Sequence, residues 1–303
     1  MSIHKLVIIV NAFLFISFFS QVVSAEVVQI NHKNLTLNAK LTLASDKNLS
    51  QGVLILVHGT LAHKNMDTIK NISEVLNERG FSTLSINLSL GVNNRDGMYD
   101  CNKPHYHEHL DALDEIGAWV NWLKAKGAGD IVLFGHSRGG NQALRYVIEK
   151  DKNSLKKLIL LAPSTWDMVR SSKNYEKRHG TPLKEIIAKV EDKISSGNGA
   201  SLIKGIGMLY CSDADATANS FFSYYQKNSR FDTPSILDEL SIPALIIAGG
   251  NDQIVQDLIS RVKNIADGRQ VYLGVVEDAD HFFLDLYAED AADFIEPFLL
   301  QKN

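Results

Sequence analysis

The pentapeptide Gly135-His136-Ser137-Arg138-Gly139 constrains this chain more than any other feature. It follows an unbroken apolar run at 131–134 and precedes an amphipathic stretch at 141–149, so it reads as a turn from a buried strand into a helix opening near Gly140. The spacing has a mechanical reason. A turn this tight strains the serine backbone, and only small neighbours let the chain pass itself. The turn also lifts the hydroxyl above the sheet and sets a helix N-terminus behind it, where developing negative charge is favoured. Ser137 is the candidate nucleophile.

The surrounding pattern supplies a fold around that turn. Apolar residues alternate from 35 to 43, and with 27–30 they predict an opening antiparallel hairpin. A continuous apolar run at 53–57 predicts a strand buried on both faces. Thereafter helices and strands alternate: a helix over 66–79 stopped by Gly80, a strand at 81–86, and a helical face through Leu110, Leu113, Ile116, Val120 and Leu123. Strands follow at 158–161, 244–248 and 271–276, with helices at 255–265 and 287–299. This rhythm predicts an α/β fold, a doubly wound and mostly parallel sheet. Between 164 and 240 no strand is evident, and about 75 residues are too many for a bare loop, so helices of its own are expected there.

A serine hydroxyl needs a base. His281 follows the strand at 271–276 and Asp252 follows the strand at 244–248, each just past a strand end. In the order Ser137, Asp252, His281, the histidine would serve as general base and then general acid, and the aspartate would orient its ring. Asp257 is the fallback acid but falls inside the expected helix, while Asp278 and Asp280 lie too close to His281 in sequence. Two backbone N–H groups should stabilise the oxyanion. One is that of Arg138; the other belongs to the loop His58-Gly59-Thr60-Leu61, with Thr60 preferred and Leu61 beside it. His58 reads as a brace for that loop rather than as a base. His105, His107 and His109 alternate, but the segment is read as entering a helix, which sets the three rings apart, so no metal site is expected. Hydrogen bonding near Tyr99 and Arg95 is the expectation for them.

With the elbow, the His-Gly loop, the acid and the histidine in place, the chain resembles the α/β-hydrolase superfamily from about Gln51 to its C-terminus. The resemblance implies acyl transfer through a covalent intermediate on Ser137, relieved by water. It also makes 164–240 a cap inserted into a core formed by 26–163 and 241–303. Phe221, Phe222 and Tyr225 are then candidates to contact substrate; a helix packing its own apolar face is the alternative. The substrate class expected is a small-molecule carboxylic ester or thioester. An amide or peptide bond on the same triad is the second reading, and a binding protein that has lost catalysis the third.

Composition and the N-terminus narrow the setting. A formal net charge of −4 argues against a nucleic-acid partner. No glycine-rich phosphate loop follows the first parallel strand, so no dinucleotide, and no cofactor, is implied. Lys5, an apolar run from 6 to 19 and Val23-Ser24-Ala25 have the order of a secretory signal, with cleavage expected after Ala25. The run is short of the roughly 20 residues that span a bilayer, so the alternative of a retained anchor is disfavoured. The expected location is periplasmic or secreted. In an oxidising compartment the only two cysteines, Cys101 and Cys211, are expected to be bridged, two separate buried thiols being the alternative. On the α/β-hydrolase resemblance that bridge would pin the inserted segment to the core.

Overall fold

The computed structural model describes residues 24–301 except 152. The expected export signal lies outside the described residues, apart from Ser24 and Ala25, which pair with Leu43 and Thr42. The chain opens as a hairpin of β1 (Ser24–His32) and β2 (Leu35–Leu43), with Leu37, Ala39 and Leu41 turned into the core. Then come β3 (Val53–Val57), α1 (Asp67–Glu78), β4 (Thr83–Asn87), α2 (Asp111–Ala125), β5 (Ile131–His136), α3 (Arg138–Glu149) and β6 (Leu155–Leu161). A long excursion carries α4 (Met168–His179), α5 (Leu183–Ser195), β7 (Leu202–Ile203), β8 (Ala216–Thr217) and α6 (Ala218–Tyr225). The chain returns as β9 (Ala244–Gly249), α7 (Leu258–Lys263), β10 (Val271–Val276) and α8 (Leu286–Leu300).

Eight of these strands form one sheet in the order β1-β2-β4-β3-β5-β6-β9-β10, antiparallel at the β1-β2-β4 edge and parallel from β4 onward. Every residue of β3, β4, β5 and β9 is buried, so both faces of the sheet's centre are covered. Two helix pairs do the covering, α1 on α8 and α2 on α3. The doubly wound, mostly parallel sheet read from the sequence is the fold observed.

The register decides where the loops converge. His136 pairs with Leu161, Leu161 with Ile247, and Val276 with Gly249. The carboxyl ends of β5, β9 and β10 are therefore at one edge of the sheet, and the loops bearing Ser137, Asp252 and His281 leave from that edge.

Local differences from the sequence reading have physical causes. The stretch 164–240 does contain strand, the antiparallel pair β7–β8, whose two residues apiece are too short to show a period. β6 begins three residues earlier than the apolar run because Leu155 and Lys157 already pair with Ile131 and Val132 of β5, and the buried Lys157 ammonium is satisfied by the carbonyls of Phe298, Leu299 and Gln301 at the end of α8. The segment through the three alternating histidines is extended rather than entering a helix, since His105 pairs with Ala216 and α2 starts only at Asp111. All three rings are accordingly buried while Tyr106 and Glu108 between them face solvent.

A second apolar core lies between α4, α5, α6 and the loops after β3 and β4, built on Tyr175, Val190, Met208 and Phe221 and closed by Leu61 and Tyr99. Cys101 and Cys211 are joined in a disulfide across this boundary, with Cα atoms 5.3 Å apart. Cys211 closes a tight turn in which Met208 and Cys211 exchange two backbone hydrogen bonds, leaving Leu209 and Tyr210 at its tip. Among the described residues no helix is long and apolar enough to cross a membrane.

Candidate active site

Ser137 stands between β5 and α3 with φ 55 and ψ −123, a left-handed conformation that costs a residue with a Cβ free energy and persists only where the surroundings fix it. The surroundings are glycine. A Cβ at Gly135 would lie 2.5 Å from the carbonyl of Gly139, and one at Gly139 would lie 2.2 Å from the carbonyl of His58. The bare backbones let α3 start against both β5 and the loop after β3.

The Ser137 Oγ is 2.9 Å from His281 Nε2, and His281 Nδ1 is 2.8 Å from Asp252 Oδ2. An ionised carboxylate only accepts, so Nδ1 carries the proton and Nε2 is left to accept from the serine hydroxyl. Asp252 is itself fixed by the N–H groups of Ile254 and Val255, which donate to Oδ1 at 2.7 and 3.0 Å. Burial alone would push this carboxyl up; the His281 hydrogen bond and charge with the two N–H donors outweigh it and hold the group below the usual carboxylate range. Asp252 and His281 are both buried, at 6% and 4% exposure, which strengthens their pairing relative to water. His136 donates from Nε2 to the His281 carbonyl at 2.9 Å, and burial, followed by the neighbouring His281, pushes its pKa down to about 3. It is a neutral brace.

Asp257 does not reach the histidine. It precedes α7 instead of lying inside a helix and is held by Thr165, Arg170 and Arg261. Asp280 caps its own turn at Phe282 N–H, and Asp278 meets Asn251 through its backbone carbonyl.

The loop after β3 runs beneath the serine. Ala62 N–H turns back to the Gly59 carbonyl and Leu61 adopts φ 56. Among the described residues the N–H groups of Thr60, Leu61 and Arg138 take no hydrogen bond within the protein. Thr60 lines the space in front of Ser137, whereas the Leu61 side chain is buried in the second core. His58 braces the loop: Nδ1 donates to the Gly59 carbonyl at 2.9 Å, while Nε2 accepts from Leu88 N–H and from Arg95. Arg95 also donates to the carbonyls of Ala62 and Leu88 and is buried, which lowers its pKa to about 10. Its part as the keystone of this loop follows from a contact network with no sequence signature.

Two cavities meet at Ser137. One, of about 190 Å³, is lined by polar and aromatic side chains including Arg138, Thr165, Arg170, Arg178, Tyr224 and Tyr225. The other, of about 560 Å³, is lined by Met66, Met98, His281, Phe282 and Leu284. Tyr210 and Ile254 border both. Of the aromatic residues singled out in the sequence, Tyr225 reaches the smaller cavity and its hydroxyl accepts from Leu209 N–H. Phe221 and Phe222 line neither cavity: Phe221 is fully buried, stacked on Tyr225 at 4.5 Å, and Phe222 packs on the second core. Tyr224 takes the place expected of them; it lies one turn from Phe221 on α6, so helical spacing alone does not separate the ring that meets the cavity from the one that meets the core.

The alternating histidines support this wall. His105 Nδ1 lies 3.0 Å from His107 Nε2, and His107 Nδ1 2.8 Å from the Tyr224 hydroxyl. Tyr99 stacks on His105, and the Arg138 guanidinium sits 5.2 Å over the Tyr224 ring. Burial holds all three imidazoles well below their ordinary pKa, His105 at about 4. Among the described residues no three His, Cys, Asp or Glu side chains are grouped to hold a metal ion.

The comparisons with known proteins agree with this architecture. The model of the alpha/beta hydrolase fold matches residues 52–182. Est1E from Butyrivibrio proteoclasticus, solved with ferulic acid bound, superposes with a TM-score of 0.64 at 20% identity, covering 90% of this chain and 98% of that one. The Pyrococcus furiosus esterase PF2001 gives 0.60 at 17%, covering 91% of each chain. The mouse alpha/beta hydrolase domain-containing protein 10 gives 0.60 at 16%, covering 91% of this chain and 98% of that one. No curated protein matches by sequence. The matched family model and these superpositions show that the chain has the alpha/beta hydrolase fold.

Proposed function

We propose that the protein is an exported serine esterase, with Ser137 as nucleophile, His281 as general base and acid, and Asp252 as the group that orients the imidazole. The observation that carries this reading is the unbroken hydrogen-bonded chain from Asp252 through His281 to a strained serine between two cavities. In the first half-reaction His281 Nε2 takes the Ser137 proton as Oγ attacks the ester carbonyl. The tetrahedral oxyanion accepts from the N–H groups of Arg138 and Thr60, and its collapse expels the alkoxide, which His281 protonates. Water then repeats the sequence against the acyl-enzyme and frees the acid and Ser137.

The likeness to the Pyrococcus furiosus esterase supports an ester as the scissile bond. The segment 164–240, with its own apolar core and its disulfide to the loop after β4, is read as a cap that walls the smaller cavity. The disulfide also supports an oxidising location.

The test is release of p-nitrophenol from short acyl esters, with the matching anilides alongside, by wild type and Ser137→Ala. The expected result is ester turnover that disappears in Ser137→Ala, with fluorophosphonate labelling that maps to Ser137. Turnover of anilides but not esters would make the protein an amidase. Labelling elsewhere would remove Ser137 from the mechanism.

A further inference from the structure

The two cavities at Ser137 differ in charge as well as in shape. The larger one carries thioether and phenyl surface and no arginine among its lining residues. The smaller one is lined by three arginines against a single carboxylate, Asp167. That carboxylate is used internally, since Asp167 Oδ2 lies 3.4 Å from Arg170, whose guanidinium also meets Asp257 at 2.8 Å. Arg170 is thus compensated twice over.

Arg138 and Arg178 are held in another way. Arg138 donates from Nε to the Thr60 hydroxyl at 3.0 Å and lies over the Tyr224 ring. Arg178 donates to the Leu209 carbonyl at 3.1 Å and lies 4.8 Å over the Tyr210 ring. Among the described residues neither forms an ion pair; each is held by neutral oxygens and ring faces, which fix a guanidinium in place while leaving its charge uncancelled. The two cations face one cavity beside the nucleophile, and hydroxyl and amide groups from Ser164, Thr165, Ser171 and Asn174 complete its polar wall.

We infer that the substrate carries a carboxylate on one limb of its ester, received by Arg138 and Arg178 in the smaller cavity while the apolar limb lies in the larger one. This inference rests on the esterase reading of Ser137. A cavity of about 190 Å³ has room for some six water-sized volumes at ~30 Å³ each, which suits a short charged limb of about six heavy atoms. Two sources share that chemistry, a half-ester of a dicarboxylic acid and an ester of a hydroxy acid. They differ in the side of the scissile bond that bears the charge.

The test uses two pairs of probes differing only in charge: monobutyl glutarate with butyl glutaramate, and 4-acetoxybutanoate with 4-acetoxybutanamide. Binding of each to the Ser137→Ala protein is measured by titration calorimetry, and hydrolysis by wild type is followed alongside. In at least one pair the carboxylate should bind about tenfold more tightly than its amide. That advantage should fall to about twofold when Arg178→Gln is added, and should shrink at about 0.5 M salt, where exposed charges are screened. The pair that shows the preference identifies the source. Equal binding within both pairs, absence of binding, or a carboxylate preference that survives Arg178→Gln would overturn the inference. Hydrolysis of the amides with no carboxylate preference would leave the esterase reading intact. A charge preference with no hydrolysis of any probe would do the reverse.

Discussion

The disulfide between Cys101 and Cys211 permits the most quantitative prediction. It closes a loop across a sequence separation of 110. In the chain-entropy treatment a loop of that length removes about 16 cal/mol/K from the denatured ensemble, about 5 kcal/mol at 25 °C. A denatured chain that retains structure loses less, so the figure is an upper bound. At roughly 2–4 °C per kcal/mol for a chain of this size, reduction should lower Tm by up to about 10–20 °C. The structure adds a functional consequence. Cys211 ends the turn whose tip, Leu209 and Tyr210, borders the cavities and seats Arg178, so reduction should raise KM severalfold more than it lowers kcat. Calorimetric melts of oxidised protein, of protein reduced by a phosphine, and of Cys101→Ser/Cys211→Ala would measure the first effect. Steady-state kinetics on one ester would measure the second. Melting temperatures agreeing within about 2 °C across the three samples would refute the loop-entropy reasoning, and an unchanged KM would refute the claim that the bridge positions the turn.

Three further predictions follow from the site and its supports. Asp252→Asn places an amide donor opposite His281 Nδ1 and favours the wrong tautomer, so kcat should fall by about 10²–10⁴-fold with the far-ultraviolet circular dichroism unchanged; activity within tenfold of wild type would show that Asp252 does not orient the base. Gly139→Ala sets a methyl 2.2 Å from the His58 carbonyl and 2.8 Å from that of Val57, backbone atoms that cannot rotate away, and urea unfolding should show a loss of about 3 kcal/mol or more; a loss under about 0.5 kcal/mol would mean that α3 is free to shift. Glu115 is buried under Ser89, whose N–H and hydroxyl both donate to it, and burial pushes its carboxyl from 4.5 up to about 7. Because the folded-state value is raised, its contribution is fully present below about pH 4.5 and lost as pH rises through about 7, so Glu115→Gln should be near neutral at pH 5 and stabilise by up to about 3 kcal/mol at pH 8. Parallel Tm-versus-pH curves for wild type and variant would contradict this.

Much of the molecule was legible along the chain because it depends on neighbours close in sequence. The period-two alternation at Leu37, Ala39 and Leu41, the solid apolar run of β3 and the glycines around Ser137 each report a local backbone state, and each appears where the pattern placed it. The order of Ser137, Asp252 and His281 after successive strand ends was equally readable, and the shared edge of a parallel sheet turned that order into hydrogen-bond contact. The aromatic run at 221–225 marks the limit. Its composition identified something apolar, but whether a ring meets a cavity or a core depends on which face of α6 the rest of the chain covers, and that face covers Phe221 while Tyr224 and Tyr225 reach the cavity. Arg95 and the alternating histidines are further cases. The sequence by itself determined the sheet, the elbow and which strand ends carry Ser137, Asp252 and His281, since these follow from steric and hydrophobic rules acting over a few residues. Only the tertiary structure decided that Arg95 locks the loop after β3 and that Arg138 and Arg178 stand uncompensated over one cavity, because whether a charge is cancelled depends on partners brought together from distant parts of the chain.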